Sequence, residues 1–171
     1  MKNLYDLTVP IFTKSLGGLE NILRKAEEFV RASGLDETGF LQERLAPDMF
    51  PLVRQVQIVC DNAKASTARL TGIENPKHED KEQTFAELYD RIHFTLNFLK
   101  SVQKESFEGA EERKVELPYF PGKHFIGFDY LREYALPNFF FHLTTAYGII
   151  RHKGVAIGKK DYLNGLSLHD N

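Results

Sequence analysis

The sequence predicts an all-α protein, an antiparallel four-helix bundle with a small hairpin or extended insertion before the last helix. In four long segments apolar residues recur every three or four positions, each segment has a single apolar stripe, and caps or turn-forming residues bound it. Helices with one apolar face bury that face best against one another, as in a bundle. The expected helices cover residues 4–32, 51–71, 84–103 and 129–153.

The first two helices are predicted from their apolar stripes and from the residues that bound them. The first stripe covers residues 12–30 and ends near Gly34, and glycine is the usual residue just beyond a helix C-terminus. The second helix begins at Pro51, whose fixed φ suits a first helical turn, and stops at Gly72. Residues 35–50 are expected to hold a short helix within a long connection.

The last two helices are separated by a segment with a different period. Thr84 and Glu87 have the spacing of a capping box, which starts the third helix. Residues 113–128 alternate between polar and apolar side chains and therefore predict a hairpin or extended excursion outside the bundle. Asp129 can cap the last helix. Pro137 lies inside that helix and removes a backbone hydrogen bond, so a kink or break is expected there.

Composition limits the class of protein and its partners. The 171 residues, 42% apolar and 27% charged, suit one globular domain spanning residues 1–171. A net charge of -2 provides no extended basic field, which argues against nucleic-acid binding. The single cysteine, Cys60, excludes an internal disulfide and suits a reducing compartment. Asp6, Pro10 and Lys14 interrupt the N-terminal segment, so we expect a cytoplasmic chain with no membrane partner.

One polar pair within an apolar run marks the candidate site. Asn138 and His142 lie one helical turn apart in the apolar run of residues 136–147 and therefore share a face. Burying such a pair is unfavourable unless other groups satisfy its hydrogen bonds. A site is therefore expected at this pair.

In this order of helices and in its motifs, the chain resembles the DinB/YfiT-like superfamily, and more closely a branch known only as a domain of unknown function. The resemblance covers nearly the whole chain. Its motifs are NLYDLTVP at 3–10, RLAPDMFPL at 44–52, FAEL at 85–88 and ALPNFFFH at 135–142.

The resemblance implies a metal site that this sequence does not reproduce. Many DinB-like proteins bind a divalent metal through one histidine of the second helix and two histidines, four residues apart, of the last. Here His142 takes the second of these last two positions and Asn138 the first, while the second helix offers Gln57, Cys60 and Asp61 but no histidine. No metal is therefore expected. The alternative is a divalent metal, Zn or Ni, held by His142 and Asp61.

The superfamily places its site between the second and last helices. Asn138 and His142 are therefore expected to face Gln57 or Asp61 and to form a polar cluster that lines a small cavity. The aromatic run of residues 139–141, together with the resemblance, favours a homodimer.

Two classes of function stay open. The first is a non-catalytic or small-ligand-binding homodimer that has lost the three-histidine metal site. The second is a metal-dependent or thiol-dependent enzyme, a transferase, isomerase or hydrolase, that uses His142 with Asn138 and a group of the second helix. A thiol-dependent role for Cys60 requires an exposed sulfur with a lowered pKa, because a buried thiol is usually inert.

Overall fold

Four long helical segments form the bundle that the sequence predicts, and the computed structural model describes residues 3–169 of the chain. The α-helices are α1 (Val9–Ala32), α2 (Glu37–Leu41), α3 (Leu52–Thr71), α4 (Phe85–Ser101), α5 (Gly127–Asp129), α6 (Leu136–His152) and α7 (Lys159–Leu163). A π-helical segment, Tyr130–Ala135, joins α5 to α6, so that these three elements form one continuous last helix. The remaining elements are 3-10 turns at Lys104–Phe107 and Ala110–Glu112 and the strands β1 (Lys114–Glu116) and β2 (His124–Ile126).

Helix α3 is the central element of the bundle. It packs most extensively against α6 and α4, while α1 packs against α4 and the short α7. The buried apolar side chains of all four long segments join in one cluster within the described residues. No helix of residues 3–169 is both long enough and apolar enough to span a membrane.

The boundaries of the first three long helices follow the sequence signals, with one exception. Gly72 adopts φ 78° directly after α3, and Thr84 with Glu87 forms the predicted capping box of α4. Helix α1 begins at Val9 rather than at residue 4, since Pro10 has no N–H to donate to the carbonyl of Asp6. The preceding residues instead form hydrogen-bonded turns, in which the Thr8 hydroxyl donates to the carbonyl of Leu4.

The start of the last helix differs from the prediction. The helix begins at Gly127, so Asp129 lies inside it and caps nothing; its carboxylate pairs instead with Arg132 at 3.0 Å. The chain enters the helix straight from β2 because Gly127 passes against the backbone of Ala110, where a Cβ would lie 1.8 Å from the carbonyl oxygen. The irregularity expected at Pro137 takes the form of the π-helical segment just before it.

The predicted excursion is an antiparallel hairpin. Lys114 pairs with Ile126, Val115 with Phe125 and Glu116 with His124. Val115 and Leu117 are buried, so one side of the hairpin packs on the bundle. The loop between the strands is consequently held beside the last helix, where its Tyr119 lines a groove between that helix and α3.

Candidate functional site

The least buried face of α3 forms the floor of a groove. All other residues of α3 are buried, whereas the residues of this face are half-exposed and recur every three or four positions. They are Arg54, Ile58, Asp61, Ala65 and Arg69. Asn138 of α6, Tyr134 of the π-helical segment and Tyr119 of the hairpin loop complete the walls. This α3–α6 groove encloses about 220 Å³.

The π-helical segment is anchored to α3 beside the groove. The hydroxyl of the buried Tyr130 lies 3.1 Å from Ser66 Oγ and accepts a hydrogen bond from Arg69 Nη1, also at 3.1 Å. Its ring stacks on that of Tyr134, with centroids 5.9 Å apart. These contacts fix the wall of the groove from below.

His142 is paired with a residue that the sequence reasoning missed. Its Nδ1 lies 2.7 Å from Oε1 of Gln55, which is buried on the core side of α3. The Gln55 amide nitrogen donates to the carbonyl of Phe50 at 3.0 Å. Because a carbonyl only accepts, the amide nitrogen of Gln55 must face Phe50 and its oxygen must face His142. Neutral His142 therefore carries its proton on Nδ1 and keeps a lone pair on Nε2.

The environment of His142 favours this neutral form. Burial lowers the pKa of the imidazole, and the nearby Arg54 guanidinium lowers it further. Among residues 3–169, Nε2 has no hydrogen-bond partner. The ring is thus a fixed, uncharged hydrogen-bond acceptor at neutral pH.

We expect the protonation state of His142 to be visible by NMR. Long-range ¹H–¹⁵N spectra at neutral pH should show Nδ1 protonated, and the titration midpoint should lie below the ordinary value of 6.5. In Gln55→Leu the preference for the Nδ1 proton should be lost. Gln103→Leu, at an exposed position, is the control. A midpoint above 6.5, or an Nε2-protonated ring in the unmodified protein, would contradict the assignment.

The other two predicted residues, Gln57 and Asp61, face a different set of partners. Gln57 donates to Glu82 at 2.8 Å and accepts from Arg54 at 3.0 Å. Asp61 borders the groove near Asn138, but its carboxylate is paired with Arg91. The four predicted residues therefore do not form one hydrogen-bonded cluster. Positions 55 and 57 lie about 200° apart around a helix, so only Gln55 can meet His142.

Gln57 and Asp61 belong to an ionic cluster centred on the buried Arg91 of α4. The Arg91 guanidinium is fully buried and contacts the carboxylates of Asp61, Asp80 and Glu82 at 2.8, 2.8 and 2.7 Å. Lys64, also buried, approaches Asp61 at 3.4 Å. This Arg91 cluster holds the segment between α3 and α4 against both helices, because Asp80 and Glu82 lie in that segment.

The carboxylates of the segment are held in their charged forms. Burial opposes ionisation of Asp80 and Glu82, but the hydrogen bonds and charges of their partners outweigh it and lower both pKa values. Arg54 and Arg91 act on Asp80, while Arg91 and Gln57 act on Glu82. The cluster is accordingly a set of compensated charges that ties the segment to the bundle.

The missed residues carry a recognisable signal in the sequence. Gln55 lies three positions after Leu52 and four before Val59, and hence within the apolar stripe of α3. Arg91 likewise lies between Leu88 and Thr95 on the buried side of α4. A polar residue at a core position of an amphipathic helix indicates a buried partner.

The donor groups of this region do not fit the metal that the superfamily implies. Among residues 3–169 no three His, Cys, Asp or Glu side chains are grouped to hold an ion. His142 is one imidazole, Asn138 supplies only an amide, and Asp61 is committed to Arg91 and Lys64. Cys60 is no substitute, because burial raises the pKa of its thiol to about 12.

The fold is thus a bundle whose second and last long helices border a polar groove. The chain matches the family model described as domain of unknown function (DUF1993) over residues 4–163, and it belongs to that family. It is also similar to a crystal structure of a DinB family member protein from Shewanella denitrificans, with 46% identity and a TM-score of 0.95. The match covers 98% of this chain and 96% of that chain. No curated protein matches. The resemblance to DinB-like proteins and the predicted fold class are thereby confirmed.

Proposed function

We propose that this DUF1993 protein binds a small molecule in the α3–α6 groove and does so without a bound metal. The observation that carries the proposal is the composition of the groove. Apolar Ile58 and Ala65 on its floor are bordered by hydrogen-bonding side chains on α3 and α6. Asn138 lines the groove, and its amide has no hydrogen-bond partner among residues 3–169. Apolar contact area with a few convergent polar groups is the usual composition of a ligand site.

A metal-dependent or thiol-dependent enzyme is the second candidate. The lone pair on His142 Nε2 favours it, since this nitrogen is able to accept a proton or bind an ion. The thiol version is disfavoured by the complete burial of Cys60. The metal version, Zn or Ni on His142 and Asp61, requires Asp61 to leave Arg91 and Lys64. Binding without a metal requires no such rearrangement.

The test combines metal analysis with ligand mapping. Untagged protein purified without chelator should contain far less than one equivalent of metal. In ¹H–¹⁵N spectra, single-ring compounds should shift amide signals of the α3–α6 groove equally with and without EDTA. Ala65→Phe should abolish these shifts, because its ring fills the groove, whereas Ala86→Phe on the exposed side of α4 should not. Stoichiometric metal that is lost in His142→Ala would instead support the enzyme.

The proposal includes a homodimer. Phe139 is buried in the bundle, but Phe141 remains 57% exposed on the same helix and Phe128 is 46% exposed. Large exposed aromatic side chains are typical of protein interfaces. Light scattering at micromolar concentration should therefore give twice the mass of one chain. A monomer at that concentration would exclude the dimer.

A further inference from the structure

The charges along the α3–α6 groove are unequally compensated. Arg54 pairs with Asp80, and Asp61 pairs with Arg91 and Lys64. Arg69 has no carboxylate within ion-pair distance among residues 3–169. The groove consequently has one uncompensated positive charge, on Arg69.

Arg69 is held in place by a neutral partner. Its Nη1 donates to the Tyr130 hydroxyl at 3.1 Å, and that hydroxyl is itself fixed by Ser66. A guanidinium has five N–H donors, so this contact leaves most of them available. A cation fixed in this way loses little conformational freedom when it binds an anion. Its planar fork matches a carboxylate, which it is able to bind through two parallel hydrogen bonds.

The size and walls of the groove limit the rest of the ligand. A cavity of about 150 Å³ is large enough for benzene, and the α3–α6 groove encloses about 220 Å³. One ring with one small substituent therefore fits. Tyr119 and Tyr134 line the walls and Ile58 lines the floor, so that an aromatic ring finds both aromatic and aliphatic contacts.

We propose that the ligand of the α3–α6 groove is a small aromatic carboxylate, with its anionic group on Arg69 and its ring between Tyr119 and Tyr134. This inference rests on the proposed function and adds the charge and size of the ligand. Asn138, at the edge of the same groove, is placed to bind a second polar substituent. Neutral and cationic rings of the same size should bind more weakly.

The experiment compares three probes of equal size and different charge. Benzoate, benzamide and benzylamine are titrated into the ¹⁵N-labelled full chain, and amide shifts of residues in the groove give each dissociation constant. Benzoate should bind with a constant on the order of 1 mM, as expected for so small a ligand. Benzamide should bind about tenfold more weakly. Raising the NaCl concentration from about 50 mM to about 500 mM should weaken the binding of benzoate but not that of benzamide.

A pair of variants tests the role of Arg69 itself. Arg69→Gln should raise the dissociation constant of benzoate about tenfold and leave that of benzamide unchanged, since only the charged contact is lost. Arg132→Gln is the matched control, because Arg132 is exposed and lies outside the groove. The comparison of probes on the unmodified protein remains decisive even where Arg69→Gln fails to fold.

The outcomes separate this inference from the proposed function. Equal affinity of all three probes for the groove would overturn the proposal that the ligand is a carboxylate. The proposed function, binding of a small molecule, would stand. Unchanged benzoate affinity in a folded Arg69→Gln variant would overturn the assignment of Arg69. If single-ring compounds of every charge fail to shift the groove, both proposals are wrong.

Discussion

Arg91→Met is expected to lower the free energy of unfolding by about 3–5 kcal/mol, the usual loss when one partner of a buried ion pair is removed. Methionine fills much of the same space but removes the guanidinium from Glu82, and it leaves Asp80 paired only with Arg54 and Asp61 only with Lys64. Glu82 is the most affected, because its side chain is only 5% exposed. Chemical denaturation at neutral pH measures the difference.

An exposed arginine provides the control for this variant. Arg132 pairs with Asp129 and Glu133 on the surface of the last helix, so Arg132→Met should change stability by less than about 1 kcal/mol. Equal stability of the Arg91→Met protein and the unmodified protein would show that the Arg91 cluster is not a stabilising element of the bundle.

The unmodified protein and the Arg91→Met variant should differ in how their stability changes with pH. Asp80 and Glu82 have folded-state pKa values below their ordinary values of 3.8 and 4.5. Groups with lowered pKa values stabilise the folded state above the unfolded-state pKa, and this stabilisation is lost as pH falls through the folded-state pKa. The unmodified protein should therefore lose stability below about pH 4.5. Below this pH the difference in the free energy of unfolding between the unmodified protein and Arg91→Met should become smaller, because protonated carboxyl groups no longer require the cation.

Phe139→Ala is expected to cost about 3–5 kcal/mol, the range for removing a buried aromatic ring. Phe139 is fully buried and packs on Phe12, with ring centroids 4.6 Å apart, and edge-on against Phe140. Phe141, two positions further along the same helix, is largely exposed and is the matched control. Denaturation of both variants checks the difference.

Protein concentration separates the two phenylalanine positions. The loss in Phe139→Ala should be the same at all protein concentrations, because the ring packs inside one chain. A dimer is more stable at higher protein concentration, because association favours the folded state. Phe141→Ala should therefore lower the free energy of unfolding only in the concentration range in which the unmodified protein associates. A smaller loss in Phe139→Ala than in Phe141→Ala would contradict the packing of Phe139.

The helices of the bundle were predictable because local chemistry defines them. Apolar stripes, the Thr84–Glu87 capping box and Gly72 act within one or two turns of the chain, and the observed boundaries follow them. The start of the last helix was not predictable in this way. It depends on the passage of Gly127 past the backbone of Ala110, a contact between segments that no local pattern describes.

The candidate site was predictable only in its position. Asn138 and His142 do lie on the face of the last helix that approaches α3. The partner of His142 depends on the rotation of α3 about its axis, and this rotation is set by how α3 packs against two helices at once. Gln55 and Gln57 are both buried, but they face opposite sides of α3, so Gln55 meets His142 and Gln57 donates to Glu82 of the Arg91 cluster.

The π-helical segment at Tyr130–Ala135 has a consequence for how the two walls of the groove are related. Each residue of a regular helix turns the chain by about 100°, and a π-helical turn contains roughly one residue more than an α-helical turn. Both kinds of turn complete one full rotation, so removal of a single residue from this segment would restore a regular helix and leave the rotation between its two ends nearly unchanged. The hairpin with Tyr119 and α6 would both keep their positions against α3, whereas deletion of one residue within the regular helix α6 would rotate everything before it by about 100°. A one-residue difference between family members at this point would thus leave both walls of the groove, and the bundle, in place.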